Sequence, residues 1–322
     1  MSEFDLIQRY FTRATPGTVL GVGDDAALLS VGDSMQLAVS TDMLVCGTHF
    51  FPDADPLLLG HKALAVNLSD LAAMGATPRW ATLALSLPSA NEDWLEKFSR
   101  GFFTLAQQYG VELVGGDTTR GPLNLSVTIM GEVPAGVALR RDGAQAGDDI
   151  WVSGALGEAA LALAHLQERI VLPQAILSSC TERLHQPQPR IALGLALRGI
   201  ARSAIDISDG LLADLGHILE RSRVAAEIQF DALPMPHFLR SLGLSNSAEE
   251  KIVQRCVLAG GDDYELCFTA PVTHRSGIED ISATLALPLT RIGKIVQGGG
   301  CTVYAADGNK MQIKEPGYDH FA

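Results

Sequence analysis

Basic residues are scarce in this chain. Its 322 residues hold 24 Lys and Arg against 37 Asp and Glu, a formal net charge of −13. A nucleic-acid footprint needs a basic face, and docking on an anionic membrane needs basic clusters, so the balance argues against both partners. Long apolar runs are lacking too. None approaches the roughly 20 residues that span a bilayer. The chain starts Met1-Ser2-Glu3-Phe4-Asp5, with acids where a signal peptide carries bases. Cysteine is sparse: Cys46, Cys180, Cys256, Cys267 and Cys301 are odd in number and form no C-x-x-C pair. That indicates neither a zinc cluster nor a disulfide framework, and a reducing cytoplasm is the expected location. No G-x-x-x-x-G-K-[ST] loop occurs, which excludes a P-loop enzyme, and the protein-kinase signature set is missing as well.

Apolar residues are plentiful, at 47%. They suffice for a folded core, and the length suggests two domains. Leu58, Leu59, Lys62, Ala63, Val66, Leu68 and Leu71 predict a helix over 57–74, stopped by Gly75. Strands are predicted at 36–40, 80–87, 111–114 and 123–132, with a helix at 92–109. The polar, glycine-bearing stretch 134–147 marks a boundary. It divides the chain into a domain over 1–135, a linker over 136–149 and a domain over 150–322. The second half reads as strands at 150–153, 203–207, 227–230, 264–269 and 289–295. Its predicted helices cover 158–167, 173–184, 190–200 and 211–222, and 298–300 reads as a turn. Strands alternating with helices imply an α/β or α+β layer.

The acids fall at the ends of these elements. Asp24 and Asp25 follow Gly21-Val22-Gly23, and Asp42 closes Ser40-Thr41-Asp42. Asp70 lies on the first long helix, and Asp117 follows Gly115-Gly116. Asp206, Ser208 and Asp209 occupy a strand-to-helix turn, and Asp262 and Asp263 follow Gly260-Gly261. Glycine permits close backbone approach, and a carboxylate beside it sits on a rigid edge. Carboxylates roughly 4 Å apart repel by about 4 kcal/mol, so a pocket of them takes up protons or a divalent cation. A donor set of Asp, Ser and Thr without His or Cys favours Mg²⁺, and Mg²⁺ favours a phosphate substrate. Gly-Asp is also a common turn pair, and Ser208 or Asp209 would serve equally as a cap for the helix starting at Leu211. Asp148 and Asp149 read as a simple turn. An acid at Asp70, on a mostly apolar helix, needs a partner. Gly21 to Ala26 imitates a dinucleotide fingerprint, but a pyrophosphate would meet Asp24 and Asp25 there, and no clear helix follows.

Taken together, the motifs are far more specific. Gly21-Val22-Gly23-Asp24-Asp25-Ala26, Ser40-Thr41-Asp42, the run Lys62 to Ala76 containing Asn67-Leu68-Ser69-Asp70, and Gly115-Gly116-Asp117-Thr118-Thr119 occur in order. Asp206-Ile207-Ser208-Asp209-Gly210-Leu211, Gly260-Gly261-Asp262-Asp263-Tyr264-Glu265-Leu266 and Gly317-Tyr318-Asp319-His320-Phe321 follow. Over essentially its whole length the chain closely resembles bacterial thiamine-monophosphate kinases, relatives of aminoimidazole ribonucleotide synthetase and selenophosphate synthetase. The resemblance implies an α/β (α+β) fold of two domains, each a mixed sheet with packed helices. The N-terminal domain would carry much of the ATP and Mg²⁺ site and form a homodimer, and the C-terminal domain would close the site. The implied reaction converts thiamine monophosphate and ATP to thiamine diphosphate and ADP, the last step of thiamine diphosphate biosynthesis, with several Mg²⁺ ions.

Carried over position by position, the resemblance implies metal ligands at Asp25, Ser40, Thr41, Asp42, Asp70, Asp117, Asp206 and Asp209, with Asp24 beside the first. Asp42, Asp117 and Asp209 are the implied catalytic carboxylates. Nucleotide contacts fall on Gly116, Asp117, Arg141 and Ser208, and thiamine monophosphate contacts on His49, Asp262 and Tyr318. The family usually has Glu where this chain has Asp262, one methylene shorter. Two other readings stay open at this point. One is a sister enzyme acting on selenide or an amide, although no Cys precedes Cys46 to suit the first. The other is a non-catalytic module that binds Mg²⁺-nucleotide.

Overall fold

In the computed structural model, which describes residues 2–243, 247–313 and 315–321, the chain divides into two units. One comprises Met1–Leu71 with Ala76–Val137, and the other Ala72–Gly75 with Ala138–Ala322.

The first unit is built on a four-stranded sheet of β1 (Met35–Val45), β2 (Thr77–Leu87), β3 (Glu112–Arg120) and β4 (Asn124–Pro134). Its order is β1-β4-β2-β3. β4 runs antiparallel to β1 and β2, whereas β2 and β3 are parallel. The parallel pair needs a long crossover, and the helix Glu92–Tyr109 supplies it. The burial of β4 alternates strictly, so one sheet face packs inward through Leu125, Val127, Ile129 and Val133. The helix Pro56–Ala73 is buried on nearly every side, including Leu64, Leu68 and Leu71. It crosses the helix Glu92–Tyr109 at Gly60 and Gly101. A Cβ on Gly60 would meet the Phe98 carbonyl oxygen, and one on Gly101 the Leu57 carbonyl oxygen, at about 2 Å. Glycine is therefore required at that crossing.

Two predicted strands run longer in the structure. β1 continues five residues beyond Ser40 because β4 pairs with it along its whole length. Asp42 is therefore within a strand rather than closing one. β3 likewise continues through Gly115-Gly116-Asp117, paired with β2 across a bulge at Ala81/Thr82.

The second unit is built on β5 (Asp149–Ser153), β6 (Ser203–Asp206), β7 (Ala225–Gln229), β8 (Leu266–Ala270), β9 (Leu289–Val296) and β10 (Gly300–Tyr304). Their order is β10-β7-β9-β5-β8-β6. Only β10 and β7 are parallel, so this sheet is mixed too. Its core joins Ile150, Val152, Ile205, Ile292 and Ile295 to Leu161 and Leu215 of the helices Glu158–Leu166 and Leu211–Ser222. Asp148 and Asp149 are buried rather than a loose turn. Asp148 pairs with Arg202 at 2.9 Å, and Asp149 with Arg275 at 2.6 Å and Arg291 at 3.4 Å. The architecture is thus α/β, with two mixed sheets and packed helices.

Candidate functional site

In the first unit Ser40, Asp42 and Asp70 come together around β1 and the helix Pro56–Ala73. The Ser40 hydroxyl donates to Asp70 Oδ2 at 2.5 Å. The Asp42 N–H donates to Asn67 Oδ1 at 3.1 Å, and Asn67 donates in turn to the Ala63 carbonyl at 3.0 Å. Asn67 is 1% exposed. A buried amide with no partner would be costly, and this one spends its polar groups fixing the backbone that carries Asp42. In the sequence, Asn67 shows this role only as an amide on an apolar helix face. Thr41 points away from Asp42 by strand alternation, and its hydroxyl lies 2.8 Å from that of Thr128. Asp24 and Asp25 lie exposed on a loop bracketed by the Leu20–Leu28 bridge. His49 Nδ1 accepts from the Val45 N–H at 3.0 Å, which puts the neutral ring's proton on Nε2.

Asp117 stands apart from this group. By register Asp42 lies across from buried Val127 and Asp117 across from exposed Ala84. β1 and β3 are the two edges of the sheet, so three strand spacings, about 14 Å, separate their backbones. Gly116 precedes Asp117 with φ +150°, and a Cβ there would lie 1.9 Å from the Leu83 carbonyl oxygen.

In the second unit the turn after β6 carries Asp206, Ser208 and Asp209. Neither Ser208 nor Asp209 caps the following helix. Its N-cap is Gly210, without a side-chain cap. Instead Asp214, in the first turn, accepts from the N–H groups of Ser208, Asp209 and Gly210 at 3.0, 3.1 and 3.1 Å, all on Oδ2. Burial pushes the Asp214 carboxyl up to about 7, and the charge of Asp209 pushes it the same way, against the pull of the three amides.

Two further segments close on this turn. Asp262 N–H donates to the Ser208 carbonyl at 2.9 Å, and Tyr318 N–H to the Asp209 carbonyl at 3.0 Å. Asp262 and Tyr264 both take left-handed backbone conformations, with φ of +69° and +48°. Such conformations cost about 1 kcal/mol or more each in non-glycine residues and persist where surroundings enforce them. Those surroundings are Asp263 and Glu265. Asp263 accepts from the Gly157 N–H at 3.0 Å. Glu265 is gripped by both ends of the Arg190 guanidinium and accepts from Ser153 at 2.5 Å. Tyr318 itself is half exposed and packs edge-on against His320 at 4.8 Å. Arg141 is exposed near the start of the stretch Ala138–Ala322 of the second unit, and its carbonyl is held by Ser222 at 2.8 Å.

Among the described residues, no three His, Cys, Asp or Glu side chains form a ready-made metal cage. The expected donors are carboxylate and hydroxyl oxygens throughout. That chemistry fits Mg²⁺, which takes one or two carboxylates and completes its octahedron with water and phosphate oxygens. A cavity of about 950 Å³ beside the helix Leu211–Ser222, with Leu219, Arg223 and Met311 in its wall, includes none of the expected site residues.

The chain is similar to known proteins over its whole length. Residues 23–133 match the model of the AIR synthase related protein N-terminal domain. The chain is 48% identical to the thiamine-monophosphate kinase of Escherichia coli K12, over 99% of this chain and 98% of that one. It superposes on the crystal structure of thiamine-monophosphate kinase from Stenotrophomonas maltophilia K279a with a TM-score of 0.84 and 52% identity, covering 96% of each chain. It also superposes on AaThiL complexed with AMPPCP and TMP, with a TM-score of 0.75 and 31% identity, covering 98% of this chain and 96% of that one.

Proposed function

The chain belongs to the thiamine-monophosphate kinase family, ATP-dependent enzymes that phosphorylate thiamine monophosphate, and from that premise we propose a direct, in-line, Mg²⁺-assisted transfer to thiamine diphosphate. The observation that carries this reading is the turn Asp206–Gly210. Its carbonyls are hydrogen-bonded to the N–H groups of Asp262 and Tyr318, so positions expected to hold metal and positions expected to hold substrate share one piece of backbone.

The acceptor is a phosphate, already an anion at neutral pH, and it needs no general base. The obstacle is repulsion between two polyanions, so positioning and charge neutralisation carry the catalysis. Asp25, Ser40, Thr41, Asp42, Asp70 and Asp117 of the first unit, and Asp206 and Asp209 of the second, would hold Mg²⁺. When bound, Mg²⁺ supplies positive charge at the phosphate oxygens. In the first unit Gly116, packed against the Leu83 backbone, sets the chain direction at Asp117 for the nucleotide contact, and in the second Ser208 offers a hydroxyl and Arg141 a planar cation. His49 offers its Nε2 proton to the acceptor phosphate. Tyr318 offers an aromatic face to the thiamine rings, with Asp262 beside it in the place of the usual Glu.

We infer a cytoplasmic homodimer assembled through the N-terminal domain. Leu37, Val39 and Met43 of edge strand β1 are 42, 57 and 58% exposed and share one sheet face. An apolar stripe on an 11-residue edge strand is a surface that proteins cover. No helix among the described residues is long and apolar enough to cross a membrane.

The test is direct. Purified protein with Mg-ATP and thiamine monophosphate should form ADP and thiamine diphosphate in equal amounts. ADP released equally without the acceptor, or no ADP at all, would reject the reading in favour of a sister enzyme or a binding module.

A further inference from the structure

We propose that Asp214 is a positioning residue. By gathering three successive backbone N–H groups it sets the turn from which Ser208 and Asp209 reach nucleotide and metal. The inference rests on the kinase reading and adds to it a residue that touches neither substrate nor metal.

Successive N–H groups at a turn before a helix form an anion-binding nest, where phosphates commonly sit. Here the nest precedes a 12-residue helix and is filled from within. Asp214 is 3% exposed, and one of its oxygens takes all three donors at 3.0 to 3.1 Å. The same turn is fixed from its other side. The Ser208 and Asp209 carbonyls accept from Asp262 and Tyr318, the Ile207 N–H donates to the Glu265 carbonyl at 2.8 Å, and the Tyr264 N–H donates to the Ile207 carbonyl at 2.8 Å. Asp214 thus holds the N–H groups of Ser208, Asp209 and Gly210, while the segments carrying Asp262 and Tyr318 hold the Ser208 and Asp209 carbonyls.

The internal carboxylate occupies these amides, so they do not grip the nucleotide. Its phosphates are met by metal on Asp206 and Asp209 and by side chains such as Arg141. Asp214 replaces a phosphate as the ligand of the nest and frees Asp209 from capping the helix.

The test compares Asp214→Ala and Asp214→Asn with the wild type. Three readouts are followed: kcat and KM, the Mg²⁺ concentration for half-maximal rate, and Mn²⁺ binding to the resting enzyme by electron paramagnetic resonance. Asp214→Ala removes the acceptor, and the misplaced turn should lower kcat by roughly a hundredfold. It should also weaken Mn²⁺ binding without turnover and raise the Mg²⁺ requirement more than the KM for thiamine monophosphate. Asp214→Asn keeps an oxygen acceptor and should restore kcat to within about fivefold of wild type, as an acceptor role requires. Wild-type kcat and Mn²⁺ affinity in Asp214→Ala overturn the proposal. So does an Asp214→Asn enzyme that is folded yet loses roughly a hundredfold in kcat, an arm that stands even where Asp214→Ala fails to fold. A wild-type enzyme making no thiamine diphosphate would instead overturn the kinase reading itself.

Discussion

At the scale of single residues, carboxylates in this chain divide into two kinds by their partners. Asp149 belongs to the structural kind. Burial pushes its carboxyl up, but the hydrogen bond and charge of Arg275, joined by Arg291, outweigh burial and hold it below the ordinary carboxylate value. A lowered folded-state pKa contributes stability that is present above the unfolded value and lost as pH falls through the folded one. Asp149→Asn should therefore cost about 2 kcal/mol at neutral pH, and the deficit should shrink below about pH 4. Thermal unfolding at pH 7 and pH 3.5 checks this, and a deficit equal at both values would contradict it. Asp42 belongs to the other kind. Its backbone N–H is fixed by Asn67, so Asp42→Asn should leave the fold intact and lower kcat by about a hundredfold or more, as loss of a transition-state charge partner does. Near-normal turnover would count against Asp42 as a metal ligand. Asn67 and Asp214 escaped sequence reasoning for a physical reason. Each acts on backbone N–H groups, and nothing in a residue string shows where those point.

At the scale of elements, strong periodicity was readable and continuity was not. The helices Glu92–Tyr109 and Leu211–Ser222 appear at their predicted limits, the first with Asn91 accepting from the Trp94 N–H and Gly110 left-handed at its end. The helices His237–Gly243, Ser247–Ala259 and Arg275–Leu285 were not foreseen. Apolar residues on these segments are mixed with charges, and packing rather than pattern makes them helical. Strand β3 was cut short at Val114 because Gly115-Gly116 resembles a turn. Pairing with β2 carries the strand through both glycines. Gly116 sits there because no side chain fits against the Leu83 carbonyl. Gly116→Ala should destabilise the first unit by roughly 1–3 kcal/mol and displace Asp117 along with the nucleotide contact. Urea unfolding followed by nucleotide binding measures both, and unchanged values for each would show that the close approach has no role.

At the scale of the whole molecule, the surplus of acids looked at first like a statement about partners. Asp148, Asp149 and Glu265 pair with arginines and so form no part of the excess, whereas Asp214 fills a nest of backbone amides. Asp25, Asp42, Asp70, Asp117, Asp206 and Asp209 are six more of the 37 acids, the proposed metal ligands. The partner reading rests instead on the apolar stripe of β1. Val39→Lys combined with Met43→Lys should convert the proposed homodimer to monomers in light scattering with size-exclusion chromatography, and a dimer mass unchanged by the pair would move the interface elsewhere. In a direct transfer the phosphoryl group passes straight from ATP to the phosphate of thiamine monophosphate. The stereochemical course with ATP made chiral at the γ-phosphorus by oxygen isotopes distinguishes that route from one through the enzyme. Inversion is the predicted result, and retention, the mark of a phosphoenzyme, would contradict it.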